Sequence, residues 1–209
     1  MSLNSNLVNI VVFASGSGSN FKSIHQKIKE GEISGKIKIV VSNNPNSDAL
    51  KYAISEGIPI FIHNKVRFHN EEKYYESLSK KLIEVNAELL VLAGFMKKIP
   101  DEIVAHFERR IINIHPSLLP KFGGKGFFGM NVHRAVIQLG EKESGASVHF
   151  VNKIYDDGPI VAQSVITVND NESPEDLAAR VLVEEHKLYP EVVKAFCENR
   201  IFWENNKPK

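Results

Sequence analysis

The sequence predicts an α/β fold in which a doubly wound, mostly parallel sheet carries an antiparallel C-terminal extension. Three observations carry that expectation. The apolar runs Val8–Ala14, Ile37–Val41 and Leu89–Ala93 read as strands covered on both faces. Segments with helical periodicity, each about 10–15 residues long, separate them, which is the pattern of βαβ units. Two alternating runs, Ala146–Val151 and Ile160–Val168, flank the short turn Tyr155-Asp156-Asp157-Gly158-Pro159 and so pair antiparallel. The chain has 209 residues without internal repeats or low-complexity linkers, so one domain over 1–209 is expected.

Val8–Ala14 ends in Ser15-Gly16-Ser17-Gly18-Ser19-Asn20, after which Phe21, Ile24 and Ile28 recur at helical spacing. The order is strand, glycine-rich turn, helix. Ile37–Val41 is followed by the turn-prone Ser42-Asn43-Asn44-Pro45-Asn46, and a helix from about Ser47 to Glu56 stops at Gly57. Pro59–His63 is a third strand, Glu71–Val85 an amphipathic helix, and Leu89–Ala93 the fourth and most apolar strand. A short helix near Asp101–Phe107 precedes a fifth strand, Arg110–His115. A glycine-rich loop from Pro116 to Gly129 leads to a helix over Asn131–Leu139, and Gly123-Gly124-Lys125-Gly126 reads as a lid. The last helix opens at Ser173-Pro174-Glu175-Asp176, with Ser173 as N-cap, Pro174 at N1 and Asp176 closing an acidic capping box. Leu177, Val181, Leu182, His186 and Leu188 form its expected inward pattern, and a terminal strand is expected around Arg200–Trp203.

Composition excludes several classes. Hydrophobic residues at 43% and charged residues at 24% are those of a globular domain. A net charge of +1 offers no polyanion-coating surface, so no nucleic-acid partner is expected. Cys197 is alone, which rules out an internal disulfide and a multi-cysteine zinc site. Leu89–Phe95 is far short of the roughly 20 apolar residues a membrane helix needs. Met1–Leu7 has neither a basic leader nor an apolar core, so a cytoplasmic chain is expected.

Chemistry concentrates in three places. The loop Ser15–Asn20 precedes a helix N-terminus, where unpaired N–H groups and the helix dipole favour an anion. Phe21 stands where a dinucleotide loop has its third glycine, so one phosphate monoester fits better than a pyrophosphate. Any tight βα turn also favours Gly and Ser. In the fifth strand Asn113 and His115 alternate onto one face at its carboxyl end, where open α/β sheets place ligands. An amide donor beside an imidazole suits a tetrahedral oxyanion, although polar pairs also occur simply satisfied at strand ends. Asp156 or Asp157 near His115 would raise the imidazole pKa and orient the ring, although Asp-Gly-Pro is also ordinary turn chemistry. His149, alternating with Val148 and Phe150, reads as a sheet residue, Lys97-Lys98 as a solvated pair, and His25, His63, His69 and His106 lack metal-ligand spacing.

Taken together, Ser15–Asn20, Ala93-Gly94-Phe95-Met96, Asn113-Ile114-His115-Pro116-Ser117-Leu118-Leu119-Pro120, Ser147-Val148-His149-Phe150 and Asp156-Asp157-Gly158-Pro159-Ile160 resemble the phosphoribosylglycinamide formyltransferases. These are the folate-dependent formyl-transfer enzymes of purine synthesis, and the similarity runs from about Val8 to Arg200. The resemblance implies a Rossmann-like formyltransferase fold, with a phosphate-binding half at about 1–95 and a folate and catalytic half at about 96–209. It implies that Gly18, Ser19 and Asn20 hold the substrate phosphate and that Glu185 receives the ribose hydroxyls. Met96, Lys97, Lys98 and Ile99 would line the folate pocket, joined by Asn113, with Asn152, Lys153, Ile154, Tyr155 and Asp156 covering it. Asn113, His115 and Asp156 would be catalytic. The amine of glycinamide ribonucleotide would attack the formyl carbon of 10-formyltetrahydrofolate, the co-substrate, and Asn113 with a protonated His115 would meet the oxyanion. No metal, nucleic acid or membrane is implied, and the enzyme would be a monomer or homodimer.

Three positions depart from the family pattern. Glu71 stands where an arginine often touches the folate, Lys97 replaces another arginine, and residues 126–131 look inserted. The other readings are a formyltetrahydrofolate deformylase or tRNA formyltransferase catalytic domain, for whose extra domains 209 residues leave no room, and a non-catalytic nucleotide-binding module. A small dehydrogenase is disfavoured by Ser42-Asn43 where its ribose-binding acid would stand.

Overall fold

The computed structural model describes residues 7–209; residues 1–6, on which the expectation of no secretory leader rests, lie outside the described residues. Two compact units divide the chain, one up to Ile112 and one from Asn113 to Lys209.

In the first unit β1 (Val8–Phe13), β2 (Gly35–Ser42), β3 (Ile60–Ile62) and β4 (Leu89–Leu92) alternate with α1 (Ser19–Lys29), α2 (Asp48–Ser55) and α3 (Glu71–Glu84), and the short α4 (Asp101–His106) follows. β1 pairs in parallel with both β2 and β4, and β2 with β3. Such pairs need helical crossovers, and the crossovers cover both faces of the strands. Ile10, Val11, Val12 and Phe13 are accordingly inaccessible to solvent, packed in a core with Phe21 and Ile24 of α1 and Leu50 of α2. Serine and asparagine side chains set the starts of α2 and α3. Ser47 Oγ accepts the Leu50 N–H at 3.3 Å and Asn70 Oδ1 accepts the Lys73 N–H at 2.8 Å.

The helix after the glycine-rich turn starts two residues before its apolar pattern, because left-handed Gly18 (φ 68°) is the N-cap and Ser19 already turns with α1. A 3-10 turn over Lys65–Arg67 has no apolar periodicity to announce it; Asn64 Oδ1 builds it by accepting the Val66 N–H at 3.1 Å.

β5 (Ile111–His115) carries Asn113 and His115 in the second unit, with α5 (Met130–Gln138), β6 (Glu143–Phe150), β7 (Ile160–Thr167) and α6 (Pro174–Cys197). β6 and β7 pair antiparallel from Glu143↔Thr167 to His149↔Ile160, as their alternation predicts. The main sheet thus has seven strands in the order β3-β2-β1-β4-β5-β6-β7, mostly parallel with an antiparallel end. The turn between β6 and β7 requires glycine at 158, since an added Cβ would lie 1.8 Å from the Phe150 carbonyl oxygen. Gly158→Ala is therefore expected to destabilise by about 2 kcal/mol or more, because backbone rather than a flexible side chain must yield. Chemical denaturation reads this directly, and an unchanged midpoint would contradict it.

Ser173 caps α6, its Oγ accepting the Asp176 N–H at 3.1 Å while donating to Asp176 Oδ2 at 2.6 Å. The inward stripe of α6 differs from the expected one. Leu177, Val181, Glu185, Tyr189 and Val193 are buried at strict i+4 spacing, whereas Leu182 sits about 100° round the helix and is exposed. The terminal segment is a hairpin rather than a single strand: β8 (Trp203–Glu204) pairs with β9 (Lys207–Pro208). Asn205 and Asn206, both left-handed (φ 49° and 60°), supply the turn that strand runs this short hide from periodicity. Among the described residues no helix is long and apolar enough to cross a membrane.

Candidate active site

In the first unit the turn from Ser15 to Asn20 shows two different glycines. Gly18 serves the fold, since a Cβ there would meet Ala49 Cβ at 2.7 Å and its φ is left-handed. Gly16 faces open space, with nothing within 4 Å of an added Cβ, and is the position where backbone can approach an anion. Ser19 is half-buried and Asn20 buried, both in the first turn of α1, where N–H groups lack intrahelical acceptors. Further along, Met96, Lys97 and Lys98 are exposed while the Ile99 side chain is buried, so Ile99 presents only backbone to a ligand. Lys98 Nζ lies 2.8 Å from Asp101 Oδ1, and Lys65 pairs with Glu71. Glu71, where an arginine was the family expectation, is thereby neutralised by a neighbouring cation.

The second unit brings Asn113, His115 and Asp156 together. His115 is buried, with Nδ1 3.6 Å from Asp156 Oδ2 and Nε2 2.7 Å from the Phe122 carbonyl oxygen. A carbonyl only accepts, so Nε2 carries the proton and Nδ1 is the basic nitrogen when the ring is neutral. Asp156 Oδ2 also accepts the Gly124 N–H at 2.9 Å, and Asn113 Nδ2 reaches Asp156 Oδ1 at 3.5 Å. Asp156 has a left-handed backbone (φ 54°), a conformation Asp tolerates better than most residues and one that aims its carboxylate at the strand ends. Asn152 closes the loop beneath it, Oδ1 accepting the Ile154 N–H at 2.8 Å and Nδ2 donating to Asp157 Oδ2 at 3.2 Å. Lys153, Ile154 and Tyr155 are exposed on that loop, and Glu185 is buried on α6.

His149, read from sequence as a sheet residue, belongs to this cluster. Its Nδ1 faces the Phe150 carbonyl at 2.9 Å and so carries the proton, leaving Nε2 to accept from Asn113 Nδ2 at 3.1 Å. The same Nε2 lies 3.6 Å from Asp156 Oδ1. The signal for it was faint: Ser147 and His149 are polar residues two apart in a strand buried along almost its whole length. Ser147 Oγ works on the same side, donating to the Ser117 carbonyl at 2.6 Å and accepting the Leu119 N–H at 3.0 Å, which pins the chain just past His115.

Electrostatics corrects one expectation. Burial pulls the His115 pKa below its ordinary value more strongly than the Asp156 charge and the Phe122 carbonyl raise it, so the resting imidazole is neutral near pH 7. Burial works against the Asp156 carboxylate as well. The His115 charge and the Gly124 N–H outweigh it and hold that pKa below the usual range.

The model of the family described as formyl transferase matches residues 8–193. The chain belongs to the formyl transferase family. It is 47% identical over 194 residues to the chloroplastic phosphoribosylglycinamide formyltransferase of Vigna unguiculata, covering 93% of this chain and 62% of that protein. The chain thus spans less than two thirds of the plant relative's length. To the phosphoribosylglycinamide formyltransferase of Escherichia coli (strain K12) it is 36% identical over 199 residues, covering 95% of this chain and 92% of that one. The crystal structure of glycinamide ribonucleotide transformylase 1 from Symbiobacterium toebii superposes with a TM-score of 0.90 at 32% identity, covering 97% and 93% of the two chains. The resemblance read from the five motifs is thereby borne out.

This family member carries an acid-sensitive set of histidines. His25, His63, His115, His133 and His186 all have lowered pKa values, with burial the largest cause in each. The unfolded chain therefore takes up protons that the folded one resists below about pH 6.5. Stability is complete above that pH and erodes as pH falls through the lowered values. The melting temperature is expected to drop between about pH 7 and 5, ahead of carboxylate titration; a flat profile there would contradict the assignment.

Proposed function

We propose that this chain transfers a formyl group from 10-formyltetrahydrofolate to the amine of glycinamide ribonucleotide, a step of purine biosynthesis. The convergence of Asn113, His115 and Asp156 at the carboxyl end of β5 carries the reading, and the names of the relatives support it. In this reading Gly18, Ser19 and Asn20 hold the phosphate and the Met96–Ile99 backbone meets the pterin. Asn113, His115 and Asp156 are the catalytic groups, Asn152–Asp156 forms the cover and Glu185 receives the ribose. The reading places the reaction in the cytoplasm, in a monomer or homodimer, and calls for no metal.

The amine adds to the formyl carbon, and the carbonyl π electrons move onto oxygen. Asn113 meets that oxyanion through the Nδ2 hydrogen committed only to the long 3.5 Å contact with Asp156, the other being held by His149. Neutral His115 takes the ammonium proton at Nδ1, and Asp156 stabilises the imidazolium so formed. The imidazolium charge adds to oxyanion stabilisation, then its proton passes to the folate nitrogen as the C–N bond to the formyl carbon breaks. His115 is thus a base first and an acid second, not a resting cation.

A spectrophotometric assay of folate-analogue release with and without glycinamide ribonucleotide tests the function. Release that requires the ribonucleotide is expected. Release without it points to a deformylase, and no release in either case to a binding module. His149→Ala is expected to lower turnover about tenfold, since an acceptor worth roughly one hydrogen bond no longer fixes the Asn113 amide. His149→Gln, which restores an acceptor, recovers part of that loss, and equal turnover in both variants would contradict the orienting role.

A further inference from the structure

Ser15 lies just past β1, buried, and its polar groups reach two other chain segments. Its N–H donates to the Gly94 carbonyl at 3.1 Å, and its carbonyl accepts from Asn44 Nδ2 at 3.3 Å. Its hydroxyl accepts the Met96 N–H at 2.9 Å and donates to Asn43 Oδ1 at 2.5 Å. Asn43 is itself held, its carbonyl accepting from Asn64 Nδ2 at 3.0 Å. One hydroxyl therefore ties the turn after β1, the turn after β2 and the segment after β4. The strands do not need it, because Ala14 N–H to Val41 O at 3.0 Å and Ala93 N–H to Phe13 O at 2.8 Å already hold them together. What the hydroxyl fixes lies beyond the strand ends.

We propose that Ser15 is a positioning residue that couples the phosphate turn to the Met96–Ile99 segment, so that each substrate binds more tightly once the other is in place. This rests on the formyl-transfer reading, which assigns those two segments to the two substrates. A phosphate seated on the turn orders the backbone from Ser15 to Asn20. Because the Ser15 hydroxyl is bonded to the Met96 N–H, that order extends to the segment the folate meets. Coupling of this kind is reciprocal: the factor by which the ribonucleotide aids the folate equals the factor by which the folate aids the ribonucleotide. Alanine removes donor and acceptor together, whereas threonine keeps both.

Calorimetric titration with an unreactive folate analogue, with and without glycinamide ribonucleotide, tests the coupling beside steady-state kinetics. The wild-type chain is expected to bind the analogue about 5-fold or more tightly when the ribonucleotide is present. In Ser15→Ala that gain vanishes and KM for both substrates rises about tenfold, while kcat changes by no more than about threefold because Asn113, His115 and Asp156 are untouched. Ser15→Thr recovers most of the gain. Asn43→Ala, which removes only the acceptor and covers the case of a Ser15→Ala chain that does not fold, reduces it to less than half. A wild-type chain without ribonucleotide-dependent gain, or a folded Ser15→Ala or Asn43→Ala chain that keeps the full gain, overturns the coupling while leaving formyl transfer intact. A lowered melting temperature with an unchanged gain assigns Ser15 a structural role only. A wild-type chain that binds neither ligand overturns the formyl-transfer reading and the coupling with it.

Discussion

Asn113→Ala and His115→Ala are each expected to lower kcat/KM by about 100-fold or more in a chain that still folds. Removing one donor aimed at a developing oxyanion costs about 2.7–4 kcal/mol of barrier, and loss of a proton-transfer group costs a comparable factor. The effect should fall mainly on kcat, since the oxyanion contact and the proton transfer form only in the transition state, even though Asn113 is also assigned to the folate pocket. Circular dichroism together with turnover of the purified variants checks it. Near-normal kcat in a folded variant would remove that residue from the chemistry.

Asp156→Asn carries the second large effect. With the carboxylate gone, only the Phe122 carbonyl opposes the burial that disfavours the imidazolium, so the imidazole pKa falls further. His115 must be neutral to act as base, so the acid limb of the kcat/KM profile moves to lower pH. The plateau drops by roughly 100-fold, because the imidazolium formed after attack has lost its counter-ion. A pH–rate profile with an NMR titration of the ring reads both parts. An imidazole that titrates as in the wild type would contradict the ion pair.

Sequence periodicity foresaw the elements that bury continuous apolar surface. β4 is an unbroken hydrophobic run and β1 and β2 are apolar over Ile10–Phe13 and Ile39–Val41, and all three fall within a few residues of their expected bounds, because burial on both faces restricts residue type. Elements built by side-chain hydrogen bonds were missed or displaced. The 3-10 turn at Lys65–Arg67 depends on Asn64, and the hairpin of β8 and β9 on two left-handed asparagines. At the site, Asn113 and His115 were readable because one strand alternates them onto one face. The turn put forward Asp156 or Asp157, but only family resemblance chose Asp156, since its approach to His115 depends on a turn closing across the β6–β7 connection. His149 was missed because its partner is Asn113, 36 residues away, and a buried histidine in a strand looks alike whether it fills space or holds an amide. The direction of the His115 shift was misjudged because the chain announces charges but not the depth at which they are buried.

Trp203, the only tryptophan in the sequence, packs at a tilt against Phe150 with ring centroids 4.9 Å apart. Phe150 follows His149 on β6, and its carbonyl accepts from that ring. The indole therefore serves as a native optical reporter of the second unit: its emission maximum should shift red when β8 and β9 peel from β6, without any label and without a competing fluorophore of its kind elsewhere in the chain.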